Sequence, residues 1–275
     1  MATRPQPLIT LTTDFGTRDA YVAAMKGVLL GLAPQARLVD ITHEIRPQDV
    51  MEAAFVLREA VPYFPPGTIH LVVVDPGVGT ERRAVALRHH DHWFVGPDNG
   101  LFTLVLGTEQ PDELVELNRP ECWRTPTPSQ TFHGRDIFAP VAGHLAAGRS
   151  LQEVGTPRTR LTTLRWMEPS ANNESILGWV VHVDRFGNCI TNISRELFER
   201  YRSGRSFKCY VGSTPFTQVH PTYGAVAPGE ALLLFGSSDL LEIAVNGGNA
   251  AELLGIHQGT PVHIIFEQKP TRKPS

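Results

Sequence analysis

Thr68-Ile-His-Leu-Val-Val-Val-Asp75 is the stretch that decides the fold. It is almost continuously apolar and rich in β-branched residues, the pattern of a strand covered on both faces in a parallel sheet. The segments before it repeat one unit. Residues 8–13 (Leu-Ile-Thr-Leu-Thr-Thr) alternate apolar and polar at period two, and Asp14-Phe15-Gly16 ends that strand. Tyr21, Met25, Val28, Leu29 and Leu32 then recur at spacings of three and four, and Pro34 closes the predicted helix. A second strand at 37–42 and a second helix near 48–61, with Val50, Ala54, Leu57 and Val61 on one face, lead back to the opening run. The order β-α-β-α-β predicts an open α/β sheet with right-handed crossovers. In such sheets ligands collect at the carboxyl ends of the strands, which is where Asp14 and Asp75 fall.

Beyond residue 75 the pattern predicts a hairpin (83–88 with 92–95), a Pro- and Thr-rich loop at 119–131 and a helix at about 135–147. Met167 to Ser175 reads as a linker. The texture then changes. Segments 176–184, 206–211, 230–235, 240–245 and 261–266 are short, β-rich and separated by Gly, Asn, Ser and Pro, as in a small barrel or sandwich. The expected architecture is therefore an amino-terminal α/β/α domain with a mostly parallel sheet (1–168), a linker (169–175) and a smaller all-β, barrel-like domain (176–275), with a polar, frayed tail from Lys269.

At 275 residues with 41% hydrophobic and 19% charged side chains, the chain can bury two cores, which excludes wholesale disorder. A net charge of -3 gives no electrostatic case for nucleic acid or an anionic membrane, so a small molecule is the expected partner. No apolar run reaches the roughly 18–20 residues of a membrane span. Cys122, Cys189 and Cys209 are odd in number and widely spaced, without a CxxC pair, and the amino terminus lacks a signal-peptide pattern; both point to a reducing cytoplasm.

Several side chains could carry chemistry. Asp14 reads equally as a cap for a helix starting near Thr17 or as a carboxylate for a ribose diol. Asp75-Pro-Gly-Val-Gly-Thr-Glu-Arg82 sets an acid and an arginine across a glycine-rich turn, either as a turn-pinning pair or as part of a site. It is not a phosphate loop, since no Lys-Ser/Thr follows, nor a dinucleotide fingerprint, since Arg82 stands where the last glycine would be. His133 and Gly134, before the 135–147 helix, form a loop aimed at a pocket or simply a solvated turn. The cluster His89-His90-Asp91-His92 sits at a hairpin tip, where polar residues are the default and consecutive side chains project in different directions; no metal site is expected. Phe186 and Asn188, around Gly187, offer a stacking face and an amide of the kind that holds a purine, or form an ordinary turn.

Taken in order, TTDFG (12–16), VDPGVGTER (74–82), GPDNG (96–100), TFHGRDIFAP (131–140) and DRFGNCITNI (184–193) resemble the S-adenosylmethionine hydroxide adenosyltransferase family, relatives of fluorinase and chlorinase, across nearly the whole chain. The resemblance implies a homotrimer with the site between subunits. It also implies hydrolysis of S-adenosylmethionine, as substrate and without cofactor, to adenosine and methionine. It assigns a catalytic triad to Asp75, Arg82 and His133 and the ribose to Asp14. Phe186 and Asn188 would hold the adenine with backbone help near Val245 and Gly247, and Ser237 and Glu242 would meet the methionine end. Gly134 stands where fluorinase has its halide-binding serine, which speaks against a halide site. A halide-using adenosyltransferase and a non-catalytic nucleoside-binding protein are the alternatives; the complete triad disfavours the latter.

Overall fold

The computed structural model describes residues 6–165, 167–212 and 214–267; the polar tail from Lys269 lies outside them. The chain divides into two compact units, up to Leu164 and from Arg165 onward.

The first unit contains β1 (Leu8–Thr13), α1 (Tyr21–Leu32), β2 (Arg37–Thr42), α2 (Val50–Ala60), β3 (Ile69–Val73), β4 (Ala84–His89), β5 (His92–Pro97), α3 (Thr103–Leu106), β6 (Glu113–Glu116), α4 (Ala139–Ala146), α5 (Leu151–Val154) and β7 (Thr156–Pro157). Its sheet runs β2-β1-β3-β5-β4-β6-β7. The sheet is mixed: β2, β1, β3 and β5 are parallel, while β4, β6 and β7 extend it by antiparallel pairing.

Strand β3 is buried along its whole length, and its pleat divides it between two cores. Leu71 and Val73 pack with Met25 and Leu29 of α1 and Val141 and Leu145 of α4, whereas Val72 and Val74 face Ala53 and Leu57 of α2 and Phe102 near α3. That alternation is the physical reason for the unbroken apolar run: a strand with helices on both sides has no solvent face. Local signals set the helix ends. Asp49 accepts the Glu52 backbone N–H at 2.9 Å to start α2, and α1 stops at Ala33 just ahead of Pro34. The helix predicted at 135–147 opens as a π-helical turn, Gly134–Phe138, before continuing as α4.

The second unit contains β8 (Ser170–Ala171), β9 (Ser175–Val183), β10 (Cys189–Ser194), α6 (Arg195–Arg202), β11 (Phe207–Val211), β12 (Thr214–Phe216), β13 (Ala231–Phe235), β14 (Leu240–Val245), α7 (Ala250–Leu254) and β15 (Pro261–Phe266). All pairings along β12-β11-β15-β9-β10-β14-β13 are antiparallel, and β8, inside the segment read as a linker, pairs with β9. A bridge between Val219, just past β12, and Leu233 of β13 brings the two sheet edges together, so the barrel is nearly closed. β11 and β15 alternate buried and exposed residues, the mark of a sheet with one face on a core. One end of that core is plugged by Phe198 of α6, fully buried, with ring centroids 5.1 Å from Phe207 and 5.5 Å from Phe235. The sequence reading assigned no element to β10 or α6; the helix is two turns long, and Ser194 caps it by accepting the Leu197 N–H at 3.1 Å.

Phe198→Ala removes this plug. The expected loss is about 3–5 kcal/mol, read as a lower urea midpoint with an unchanged slope. A loss under ~1 kcal/mol would mean that the surrounding rings collapse into the space.

Candidate active site

Thr13 of β1 lies beside Val73 of β3 in a parallel ladder, so the residues just after each strand emerge at the same carboxyl edge. Asp14 directly follows β1, and Asp75 lies two residues past β3. After Asp75 the chain doubles back through a tight loop: the Val78 N–H donates to the Asp75 carbonyl at 3.2 Å, and the Thr80 hydroxyl to the Gly77 carbonyl at 2.7 Å. Gly79 has φ +75°, and a Cβ there would lie 2.4 Å from the Gln130 carbonyl oxygen. Only glycine satisfies both the backbone and the packing at this point. The loop thereby returns Arg82 to Asp75.

Arg82 is the hub of the site. Its Nε donates to Asp75 Oδ1 at 2.8 Å, its Nη2 donates to Asp75 Oδ2, and the same Nη2 donates to His133 Nδ1 at 2.9 Å. The guanidinium also lies over the Phe138 ring, 5.2 Å from its centroid. The Arg82 and Asp75 side chains are only 10% and 5% exposed, so this two-pronged pair is largely withdrawn from water. Burial, reinforced by the Arg82 charge, lowers the His133 pKa below the usual imidazole range. His133 is accordingly neutral at neutral pH. Because Nδ1 accepts from Arg82, the ring proton sits on Nε2.

The loop carrying His133 is anchored by Asp136, which is 1% exposed. Its carboxylate accepts from Arg124 Nε (2.8 Å), Arg135 Nε (2.7 Å) and Nη2 (2.8 Å), and the Ser129 N–H (3.0 Å). These bonds, the Arg135 pair first, hold its pKa far below the ordinary carboxylate value. Asn99 of the GPDNG segment supports the other side by donating from Nδ2 to the Val74 carbonyl at 3.0 Å. Phe132, next to His133, packs edge-on against Phe15 (5.9 Å) and Tyr21 (5.1 Å), tying the Asp14 loop to the His133 loop. Asp14 itself is half-buried and does not cap α1; its Oδ2 accepts the Gln48 N–H at 2.7 Å, at the entrance to α2. A Cβ on Gly134 would lie 3.2 Å from Met25 Sδ and 3.3 Å from Phe132 Cε2, so a serine there would require both neighbours to give way.

The other predicted side chains lie in the second unit. Asp184 organises the turn that carries two of them: Oδ1 accepts the N–H groups of Phe186 and Asn188, both at 2.9 Å, and Oδ2 accepts from Asn188 Nδ2 at 2.9 Å. Gly187, at φ +83°, leaves no space for a Cβ, which would sit 1.9 Å from Asn249 Oδ1. Phe186 is 77% exposed with its ring free for stacking, whereas Asn188 is buried, with one amide hydrogen committed to Asp184. Glu242, on β14, is buried and accepts from the Tyr223 hydroxyl at 2.7 Å; burial raises the pKa of both groups. Ser237 is exposed in the β13–β14 turn, Val245 is buried at the end of β14, and Gly247 is exposed in the turn that follows.

The sequence reading gave Asp184, Tyr223, Asn99 and Asp136 no role. For Asp184 a signal existed, an Asp followed at i+2 and i+4 by N–H groups to be satisfied; for Tyr223 there was none, since its partner lies 19 residues away on a strand.

A buried carboxylate–guanidinium–imidazole cluster on a strand-end edge of the first unit, and in the second a barrel whose turns present an exposed aromatic and an amide, define an enzyme of the α/β-plus-barrel class. The chain belongs to the SAM hydroxide adenosyltransferase family: residues 9–155 match its N-terminal domain and residues 178–263 its C-terminal domain. It is 44% identical over 265 residues to the (R)-S-adenosyl-L-methionine hydrolase of Salinispora tropica, covering 94% of this chain and 98% of that protein. The fluorinase of Nocardia brasiliensis is more distant, 29% identical over 94% of this chain and 97% of its own. A crystal structure of an uncharacterized conserved protein from Thermotoga maritima superposes with TM-score 0.88 at 40% identity, covering 94% of this chain and 99% of that one.

Two outcomes test the geometry. Nitrogen chemical shifts of His133 followed against pH should show a neutral Nε2–H imidazole at pH 7, titrating below the model-peptide value of about 6.5; a Nδ1–H tautomer would contradict the Arg82 bond. Asp136→Asn should cost ~1–3 kcal/mol at pH 7. A carboxylate whose folded pKa is depressed stabilises above its unfolded pKa and loses that contribution on acidification. The gap between variant and parent should therefore close as pH falls below about 4.

Proposed function

We propose that this protein hydrolyses S-adenosyl-L-methionine to adenosine and L-methionine by attack of water or hydroxide on the 5′ carbon. The observation that carries the reading is the buried Asp75–Arg82–His133 cluster. In the reaction an O–C5′ bond forms as the C5′–S bond breaks, and sulfur leaves with the electron pair as a neutral thioether. The leaving group of a sulfonium needs no electrophilic activation, so no metal or cofactor has a task to perform. What the site must supply is an oriented nucleophile, a proton acceptor and exclusion of bulk water.

The triad divides those tasks. His133, its Nδ1 occupied, presents Nε2–H to a lone pair of the attacking oxygen and cannot take the proton through that atom. Asp75 keeps lone pairs beyond those used by Arg82 and is the acceptor. Arg82 fixes the carboxylate and the imidazole at once and offsets negative charge developing beside Asp75. Asp14 holds the ribose hydroxyls. Phe186 stacks on the adenine, Asn188 reads its edge with backbone groups near Val245 and Gly247, and Ser237 and Glu242 meet the methionine end. The Salinispora relative is named for the (R) substrate; because the L prefix fixes the α carbon, (R) denotes the sulfonium sulfur, and we assign that epimer to this chain.

The crowding around Gly134 disfavours a halide-dependent transfer on the same scaffold. We further propose a homotrimer with the site between subunits, working in the cytoplasm. Three buried, unpaired cysteines support a reducing compartment, and no helix among the described residues is long and apolar enough to cross a membrane.

In heavy-oxygen water the adenosine should carry label at its 5′ hydroxyl, with turnover unaffected by chelator and faster on the (R) epimer. Asp75→Ala, Arg82→Ala and His133→Ala should each lower kcat by at least ~100-fold with little change in KM, and Asp14→Ala should mainly raise KM. Unlabelled adenosine, or full activity in Asp75→Ala, would remove the basis of the mechanism. Light scattering should give a trimer. Refolding Asp75→Ala chains with Asn188→Ala chains should restore activity; a mixture as inactive as its parents would place the whole site within one chain.

A further inference from the structure

The histidine cluster at the β4–β5 hairpin has no part in the proposed reaction, and its arrangement departs from the sequence expectation. His90 and Asp91 adopt left-handed backbone conformations, φ 48° and 61°, to make the tight turn. This turn swings the His90 ring onto that of His89, with centroids 4.0 Å apart. Consecutive residues thus share one side. A third group arrives from the loop between α3 and β6: Glu109 Oε2 lies 2.9 Å from His90 Nε2 and 3.8 Å from His89 Nε2. One ligand atom from each residue falls within 4.8 Å of the others. His92 is excluded, because its Nδ1 is bonded to His70 Nε2 at 3.1 Å.

We propose that His89, His90 and Glu109 form a binding site for a divalent transition metal of the zinc class, pinning the hairpin tip to the α3–β6 loop. Two imidazole nitrogens and one carboxylate oxygen, with a water as fourth ligand, are a donor set that suits zinc. Bonds of about 2.0–2.1 Å in a tetrahedron set donor atoms ~3.4 Å apart. The two observed separations, 2.9 and 3.8 Å, bracket that value. The adjustment falls on exposed groups, since the His90 and Glu109 side chains are 68% and 59% exposed while His89 is fixed at 5%. His89 is also short of partners: its Nδ1 is buried with no hydrogen bond, and its Nε2 stops outside hydrogen-bond range of Glu109. Burial lowers the His89 pKa, which keeps the ring in the neutral form a metal requires. Asp112, which acts electrostatically on His89, adds negative charge nearby.

The site stands apart from the catalytic cluster. β4 begins two residues after Arg82 and ends at His89, and its length separates the two by roughly 20 Å. Metal here is therefore a brace on the opposite edge of the sheet, and the chemistry at Asp75 proceeds without it.

The test uses tag-free, chelator-stripped full-length protein and two probes, Zn²⁺ by calorimetry and Co²⁺ by visible absorption. The parent should bind one equivalent, give the intense bands of tetrahedral Co²⁺ and melt a few degrees higher with Zn²⁺. His90→Ala and Glu109→Gln, both exposed and compatible with folding, should each weaken binding at least tenfold and lose the bands. Hydrolysis should be unchanged in both variants. Equal binding by parent and variants, absence of binding, or octahedral Co²⁺ spectra alone would overturn the site.

Discussion

One guanidinium organises the carboxyl edge of the first sheet. Arg82 gives two donors to Asp75 and shares one of them with His133, so a single planar group sets the distance between a carboxylate and an imidazole that are far apart in sequence. The planarity matters. A lysine ammonium could neutralise Asp75 but could not hold the carboxylate in a fixed plane while directing another N–H at an imidazole. The shape of the surrounding loops follows from the need to bring that fork home. Gly79 lets the 75–82 loop press against Gln130, Asp136 ties down the chain around Ser129, and the Phe15–Tyr21–Phe132 rings close the gap to Asp14.

Burying such a cluster costs stability, because each charge gives up its hydration. The structure confines the cost to the ends of strands. The apolar side chains of β3 and β5 are divided between two cores, Ile9 and Leu11 of β1 pack in one of them, and the charged groups gather beyond the strand ends. At the carboxyl edge stand Asp14, Asp75, Arg82 and His133. Farther back, Thr10, His70 and His92 satisfy one another in a chain of hydrogen bonds of 2.8 and 3.1 Å, and burial takes the His70 pKa down to about 3, so this second polar group carries no charge.

Periodicity carries far when a segment's environment is one-dimensional. Residues 8–13, 21–32 and 37–42 read from spacing alone coincide with β1, α1 and β2, because a strand between helices and a helix on a sheet each repeat one contact along their length. It fails where the partner is distant. α6 is mostly charged and two turns long, and it forms because Phe198 enters the barrel core against Phe207, Phe235 and Phe266. Arg82 and Asp75 are seven residues apart and legible as a turn, but His133 joins them from 51 residues away, where no local pattern links the three. The ordered set of family motifs supplied that connection. Glu109 lies in no such motif, and the grouping with His89 and His90 became visible only in three dimensions.

The proposed division of labour between the units follows from the physics of each. A strand-end edge with helices on both faces is rigid and sheltered, which suits groups that must hold a nucleophile to within tenths of an ångström. Barrel turns are exposed and individually adjustable, which suits recognition: Phe186 can stand out in solvent because its turn is fixed from beneath by Asp184 and Asn249. Buried Glu242 accepts from the partly exposed Tyr223 hydroxyl through Oε1, which leaves Oε2 beside Gly236, where a larger residue would seal it off. Changes in the turns can therefore alter what is bound while the Arg82 fork stays intact. On the proposed reading, a different nucleophile would instead call for a change at the edge itself, at positions such as Gly134, where an added Cβ would lie 3.2 Å from Met25 Sδ.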